Sequence, residues 1–156
     1  MSLNVVDIVK NLLNAAGIDY RDVTETELAG QTIYSIVTKD SGASLIGFHS
    51  ETIHAIDSLV KKIAEKQAGS QEGATRNEPL FLVDVNDHRT KQIKDLQSKA
   101  LIMAERARSF QYDVELSPMS AYERLIVHTT LAEASNIKTE SQGEGRNRRV
   151  VIKYAA

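Results

Sequence analysis

The sequence predicts an α+β fold, and three observations predict it. Apolar residues recur at helical spacing in residues 4–16, 53–63, 93–107 and 122–129. Short runs rich in β-branched and aromatic residues, at 32–38, 79–85 and 149–154, read as strands between them. The order helix, two strands, helix, strand and long helix, followed by strand, helix and two strands, fits two small domains within 156 residues.

Residues 4–16 place Val5, Ile8, Val9, Leu12 and Leu13 on one face and end at Gly17, a helix stop. Residues 18–27 are acidic and broken in pattern but read as a strand. Ala29-Gly30-Gln31 turns the chain into 32–38, so the pair is expected as a hairpin. A Leu45-Ile46-Gly47 turn leads through Phe48, His49, Ser50 and Glu51 into a helix with Ile53, Ile56, Leu59, Val60 and Ile63 on its buried stripe. Two readings of that entry stay open. Gly47 frees backbone amides to face an anion at the helix N-terminus, or Ser50 is an ordinary N-cap.

Residues 67–79 are small, polar and punctuated by Gly and Pro, as in a flexible loop, and 79–85 fit a buried strand. Residues 90–110 carry Ile93, Leu96, Ala100, Met103, Ala104 and Ala107 at helical spacing, long enough to join two domains. Arg106 and Arg108 near its end suit the helix dipole. Residues 110–116 read as a short strand, 120–134 as a helix, and 137–141 and 149–154 as two further strands.

Composition narrows the function. A net charge of −2 argues against a protein that coats nucleic acid without selectivity. The average hides a split: residues 1–75 carry 6 Lys and Arg against 10 Asp and Glu, whereas 76–156 carry 13 against 11. A basic face therefore belongs to the second half. With no Trp and 5% aromatic residues, large stacking platforms are scarce. The absence of Cys excludes disulfides, thiolate metal sites and a cysteine nucleophile. No apolar run is long enough to cross a bilayer and the N-terminus has no signal pattern, so the default location is cytoplasmic, without membrane insertion.

The candidate site lies in the second half. Arg124 and His128 are four residues apart on the expected helix, so guanidinium and imidazole point the same way. A guanidinium fits phosphate as a fork of donors, and an imidazole donates to a phosphate oxygen or stacks beneath a base. Behind them Gly143-Glu144-Gly145-Arg146-Asn147-Arg148-Arg149 has the backbone freedom and charge to approach phosphate. Ordinary alternatives are that Arg124 pairs with Glu123 or Glu133, and the loop arginines with Glu140 and Glu144.

The segment Met119-Ser120-Ala121-Tyr122-Glu123-Arg124-Leu125-Ile126-Val127-His128, with the basic Gly-rich loop behind it, closely resembles the R-three-H domain, named for its Arg-x-x-x-His. More narrowly it resembles the bacterial Jag (SpoIIIJ-associated) proteins, in which such a domain follows a KH domain. Asp84, Asn86 and Arg89 match that family's Asp-x-Asn-x-x-Arg segment. The order of elements in the first half resembles the bacterial, type II KH domain, whose Gly-x-x-Gly loop clamps about four nucleotides of single-stranded RNA. Here the loop is Gly47-Phe48-His49-Ser50: Ser replaces the second Gly, and Phe and His replace the usual basic pair. The resemblance implies a KH-like domain over 1–88, a connecting long helix over 89–111 and an R-three-H domain over 112–156. It also implies that the chain lacks the separate N-terminal domain of the family.

From this follows the expectation of a regulatory protein binding single-stranded RNA, with single-stranded DNA as a lesser option. Phosphate would be held by Arg124, His128, Arg146, Arg148 and Arg149, and a second stretch of backbone by Gly47, Phe48, His49 and Ser50. The alternative is a protein-interaction adaptor in a cell-elongation, sporulation or membrane-insertase system. Its partner would be a second copy or another KH protein, met through Phe48. No Walker loop, Gly-x-Ser-x-Gly or metal-ligand spacing occurs, so no enzyme, metal or cofactor is expected.

Overall fold

The computed structural model describes residues 4–69 and 81–156. They divide into two compact units, the first running to Thr90 and the second beginning at Lys91.

In the first unit Asn4 caps helix α1 (Val5–Ala15), its Oδ1 accepting the Val6 N–H at 3.1 Å. The helix stops where Gly17 takes φ 68°. Gly17 then donates to the Asn14 carbonyl and Ile18 to that of Leu13, the paired bonds that satisfy a helix C-terminus. Because Ile18 is held by that cap, strand β1 begins only at Asp22 (Asp22–Leu28), four residues later than its sequence suggests. Ala29 and Gly30, at φ 53° and 73°, form the two-residue turn to β2 (Gln31–Val37), and the two strands pair antiparallel.

The expected Leu45-Ile46-Gly47 turn is in fact a one-turn helix, α2 (Ala43–Ile46), followed by a 3₁₀ turn over Phe48–Ser50 and then α3 (Glu51–Ala68). Gln67 and Ala68 thus finish a helix. The remainder of the expected 67–79 loop lies, from residue 70 on, outside the described residues, as do Pro79 and Leu80. Strand β3 (Phe81–Val85) pairs parallel to β2, giving the order β1-β2-β3, and is buried throughout. Val9, Leu13, Ile36, Ile53, Val60, Val83 and Val85 form the core between sheet and helices.

The inward face of α3 differs from expectation. Leu59 is exposed, while Asp57 and Ala64 point inward with Ile53 and Val60. Asp57 is tolerated there because Oδ1 accepts the Val83 N–H at 2.9 Å, while Lys61 at 2.9 Å and Arg89 at 3.5 Å balance its charge. Asp84, fully buried, receives the N–H groups of Val85, Arg89 and Thr90 and the Thr90 hydroxyl. Its carboxylate therefore caps helix α4 (His88–Phe110). Asn86, at φ 49°, reaches back to the Thr38 N–H and hydroxyl. The Asp84, Asn86 and Arg89 segment is thus bound into the architecture of the first unit.

In the second unit α4 contributes Ala100, Ala104 and Ala107 to a core with Leu116, Val127, Leu131, Val150 and Ile152. The strand expected over 110–116 shrinks to β4 (Val114–Glu115), because α4 continues to Phe110 and the chain turns at Gln111, φ 55°. Helix α5 (Ala121–Leu131) follows, then β5 (Ile137–Gln142) and β6 (Arg149–Tyr154), in an antiparallel sheet of order β4-β6-β5. On α5 the buried residues are Ile126, Val127 and Leu131. Leu125 and Thr129, which fall within the helical spacing of 122–129, face solvent.

Candidate nucleic-acid interface

Helix α5 opens with a capping box. Ser120 Oγ accepts the Glu123 N–H at 3.2 Å, and Glu123 Oε2 accepts the Ser120 N–H at 2.8 Å. Glu123 is thereby committed to the cap and is not the partner of Arg124. The Arg124 guanidinium instead donates through Nη1 to the Met119 carbonyl at 2.8 Å. The Met119 N–H donates to the Arg148 carbonyl at 3.1 Å. One residue, Met119, therefore ties Arg124 to the start of β6.

One turn beyond Arg124, His128 is half-buried, with Nδ1 2.6 Å from Thr139 Oγ1 on β5. Burial first, and the Arg124 charge second, hold its pKa below the ordinary imidazole value. Next along the same face of β5 comes Ser141, whose Oγ accepts from Arg148 Nε at 3.0 Å.

Arg146, exposed on the loop, lines with Arg124 an open cleft of about 590 Å³ that also includes Pro118, Met119, Ser120, Gly145 and Glu123, the last with its carboxylate held by Ser120. Arg124 and Arg146 are brought to one cleft, with His128 a turn away and Arg148 on the same face of the sheet. Arg149 is not brought there. It alternates to the opposite face, where Nη1 lies 3.3 Å from Glu115 Oε2 and Nε donates to the Asn147 carbonyl. Glu140 is engaged by Lys153, so the surface pairing expected between Glu140 and the loop arginines does not form.

In the first unit Gly47, Phe48, His49 and Ser50 make the turn between α2 and α3. Gly47 has φ 77°, and a Cβ there would lie 2.9 Å from the Thr52 N and 2.8 Å from its Cβ. His49 and Ser50 are both left-handed, φ 50° and 61°. Ser50 occupies the N-cap position of α3 without bonding its amides. Its Oγ lies instead 3.3 Å from His88 Nε2. The Phe48 ring is 78% exposed, edge-on to His49 with centroids 4.0 Å apart. A separate cleft of about 370 Å³ in this unit is lined by Asp19, Asp40, Thr38 and Ser44 among others. Its two carboxylates disfavour phosphate.

Thr139 and Ser141, which hold His128 and Arg148, were not singled out by motif. The signal for them is the period-two alternation with Ile137, which turns all three toward α5. Among the described residues no helix is long and apolar enough to cross a membrane, and no three His, Cys, Asp or Glu side chains gather as metal ligands.

Residues 94–154 match the family model of the R-three-H domain. Over 135 residues the chain is 32% identical to an RNA-binding protein KhpB of Bacillus subtilis, covering 85% of this chain and 61% of that protein. It is 29% identical over 108 residues to the protein of the same name from Lactiplantibacillus plantarum, covering 69% of this chain and 31% of the relative. The corresponding figures for the Clostridium symbiosum protein are 26% over 113 residues, 72% and 48%. The chain thus spans between about a third and three fifths of the length of these relatives. The chain thus carries an R-three-H domain over residues 94–154 and is similar over most of its own length to these RNA-binding relatives.

Proposed function

We propose that this chain is a regulatory protein that binds single-stranded RNA, holding the backbone phosphates in the cleft between α5 and the loop before β6. The observation that carries this is Arg124 and Arg146 lining one open cleft, with the Arg124 fork anchored at Met119. Arg148, and His128 one helical turn from Arg124, extend the same donor surface. Arg149, paired to Glu115 across the sheet, is left out of this group. The relatives are named for RNA binding, which supports RNA over DNA and binding over catalysis.

The first unit we read as a KH-like module in which Gly47, Phe48, His49 and Ser50 contact RNA through the exposed Phe48 ring rather than through fixed charge. That exposed ring also favours a second reading of this turn, as an anchor for another protein. Anisotropy titration of labelled single-stranded RNA at low and moderate salt, beside Arg124→Ala, tests the main reading. With three guanidiniums on phosphate, those of Arg124, Arg146 and Arg148, the salt slope is expected to be about −2. Arg124→Ala is expected to weaken binding about tenfold. Wild-type affinity in the variant would remove the cleft from the RNA surface, and no binding at low salt would leave the protein-partner reading.

A further inference from the structure

Phe110 closes α4 with its ring 70% exposed, and Tyr112, two residues on, is 48% exposed. The ring centroids are 6.0 Å apart and the planes differ by 34°, so neither ring covers the other and both present apolar faces to solvent. The backbone bends to allow this. Gln111 between them takes φ 55°, a conformation that residues with side chains rarely adopt.

Arg106 lies one helical turn before Phe110 on the same face. Its neighbour Arg108 is engaged, donating to Glu105 Oε2 at 2.7 Å and to the Ser135 carbonyl at 3.2 Å. Glu105 is thereby held, and it also accepts from Ser109. Arg106 makes no hydrogen bond or ion pair among the described residues. The backbone of this uncommitted arginine therefore lies about 6 Å along the helix axis from that of Phe110, the first residue of an open aromatic surface. A nucleotide offers the complement, a base with a π-face and a phosphate a comparable distance away.

We propose that Phe110 and Tyr112 form a stacking platform for an unpaired base of RNA, with Arg106 on the adjoining phosphate. The proposal rests on the RNA-binding reading above and adds to it a site for a base, where the Arg124 cleft holds backbone. The two places read different nucleotides. Arg148 precedes the first residue of β6, whereas Asp113, beside Tyr112, accepts the N–H of Tyr154 at its last. The strand between spans about 17 Å.

The test uses the full chain and two labelled single-stranded RNAs of one length, one of them carrying abasic ribose in place of its bases. The double variant Phe110→Ala with Tyr112→Ala is expected to lose at least about fivefold in affinity for the normal RNA, with its salt slope unchanged, because stacking releases no counterions. Wild type is expected to prefer normal over abasic RNA by at least a similar factor, and the double variant to lose that part of the preference which Phe48 does not supply. Arg106→Ala is expected to make the salt slope shallower by about 0.7. Phe110→Trp supplies a readout that keeps a ring in place, with indole fluorescence quenched by normal RNA and not by abasic RNA.

Wild-type affinity in the double variant, or an unquenched indole on RNA that binds, overturns the platform while leaving the Arg124 cleft intact. Self-association that disappears in the double variant without change in RNA affinity also overturns it, in favour of a protein contact. Failure of wild type to bind either RNA at low salt instead overturns the RNA-binding reading and the platform with it.

Discussion

His128 Nδ1 and Thr139 Oγ1 stand 2.6 Å apart, so one ring nitrogen of this half-buried imidazole is engaged from within the protein. A hydroxyl both donates and accepts, so Thr139 serves either neutral tautomer, and what it fixes is the orientation of the ring. Thr139→Val keeps the volume and removes the hydroxyl. RNA affinity should fall by roughly 1 kcal/mol, the worth of one such bond. Wild-type RNA affinity in Thr139→Val would mean that the hydroxyl does not set the ring.

The same ring predicts a pH dependence of stability. His128 has its folded pKa depressed by burial and then by Arg124, and His54 in the first unit has its own depressed by burial and then by Arg89. Below the ordinary value of about 6.5 the unfolded chain takes up protons that the folded chain refuses. Stability is therefore expected to fall as pH drops from there, the loss levelling off once pH is below the depressed values. Phosphate beside His128 works the other way, favouring the imidazolium, so RNA affinity should rise over the window in which stability falls. Urea midpoints and RNA titrations between pH 8 and pH 5, with His128→Gln as reference, separate the two trends.

Asp57 predicts the largest loss in the first unit. Its carboxylate serves the Val83 N–H and balances Lys61 and Arg89 in a nearly dry setting. Asp57→Ala leaves an amide without its acceptor and two cations without their shared anion, at a cost of about 3 kcal/mol. Amide exchange is expected to accelerate in β3, with Val83 first. An urea midpoint within 0.5 kcal/mol of wild type, in the energy scale of an ordinary surface change, would show that Lys61 and Arg89 do not depend on it.

Ala29 offers the opposite sign. It sits at φ 53° ahead of Gly30 in a turn that favours Asn at that position. Ala29→Asn should stabilise the hairpin by up to roughly 1 kcal/mol, since Asn tolerates the left-handed region that Ala resists. Denaturant melts of the two proteins read the difference directly.

Much of this architecture was legible in the chain because local pattern and tertiary packing agree. Val5, Ile8, Val9 and Leu13 repeat at helical spacing and all are buried, and Ala29-Gly30 separates two strands that pair. What was illegible depends on partners distant in sequence. Nothing near Asp57 announces that Val83 and Arg89 will complete it, so Leu59 looked the better inward residue. Ser50 resembles a cap until His88 is seen to hold its hydroxyl. The motif placed Arg124 and His128 on one helix face, but only strand alternation separates Arg148 from Arg149.

Gly47 and Ser50, the two ends of one turn, are constrained in different ways. At position 47 two restrictions coincide: φ 77° with ψ 175° is a backbone conformation open to glycine, and a side chain there meets the backbone of Thr52, so no neighbour can yield without moving α3. At position 50 the restriction is only conformational preference, φ 61°, which Ser meets while gaining His88 as a neighbour. The turn therefore has one fixed end and one negotiable end. The end at Ser50 accepts another side chain at the left-handed strain that Ser already bears, whereas the end at Gly47 does not, so the shape of the loop and the chemistry it presents are set at different residues.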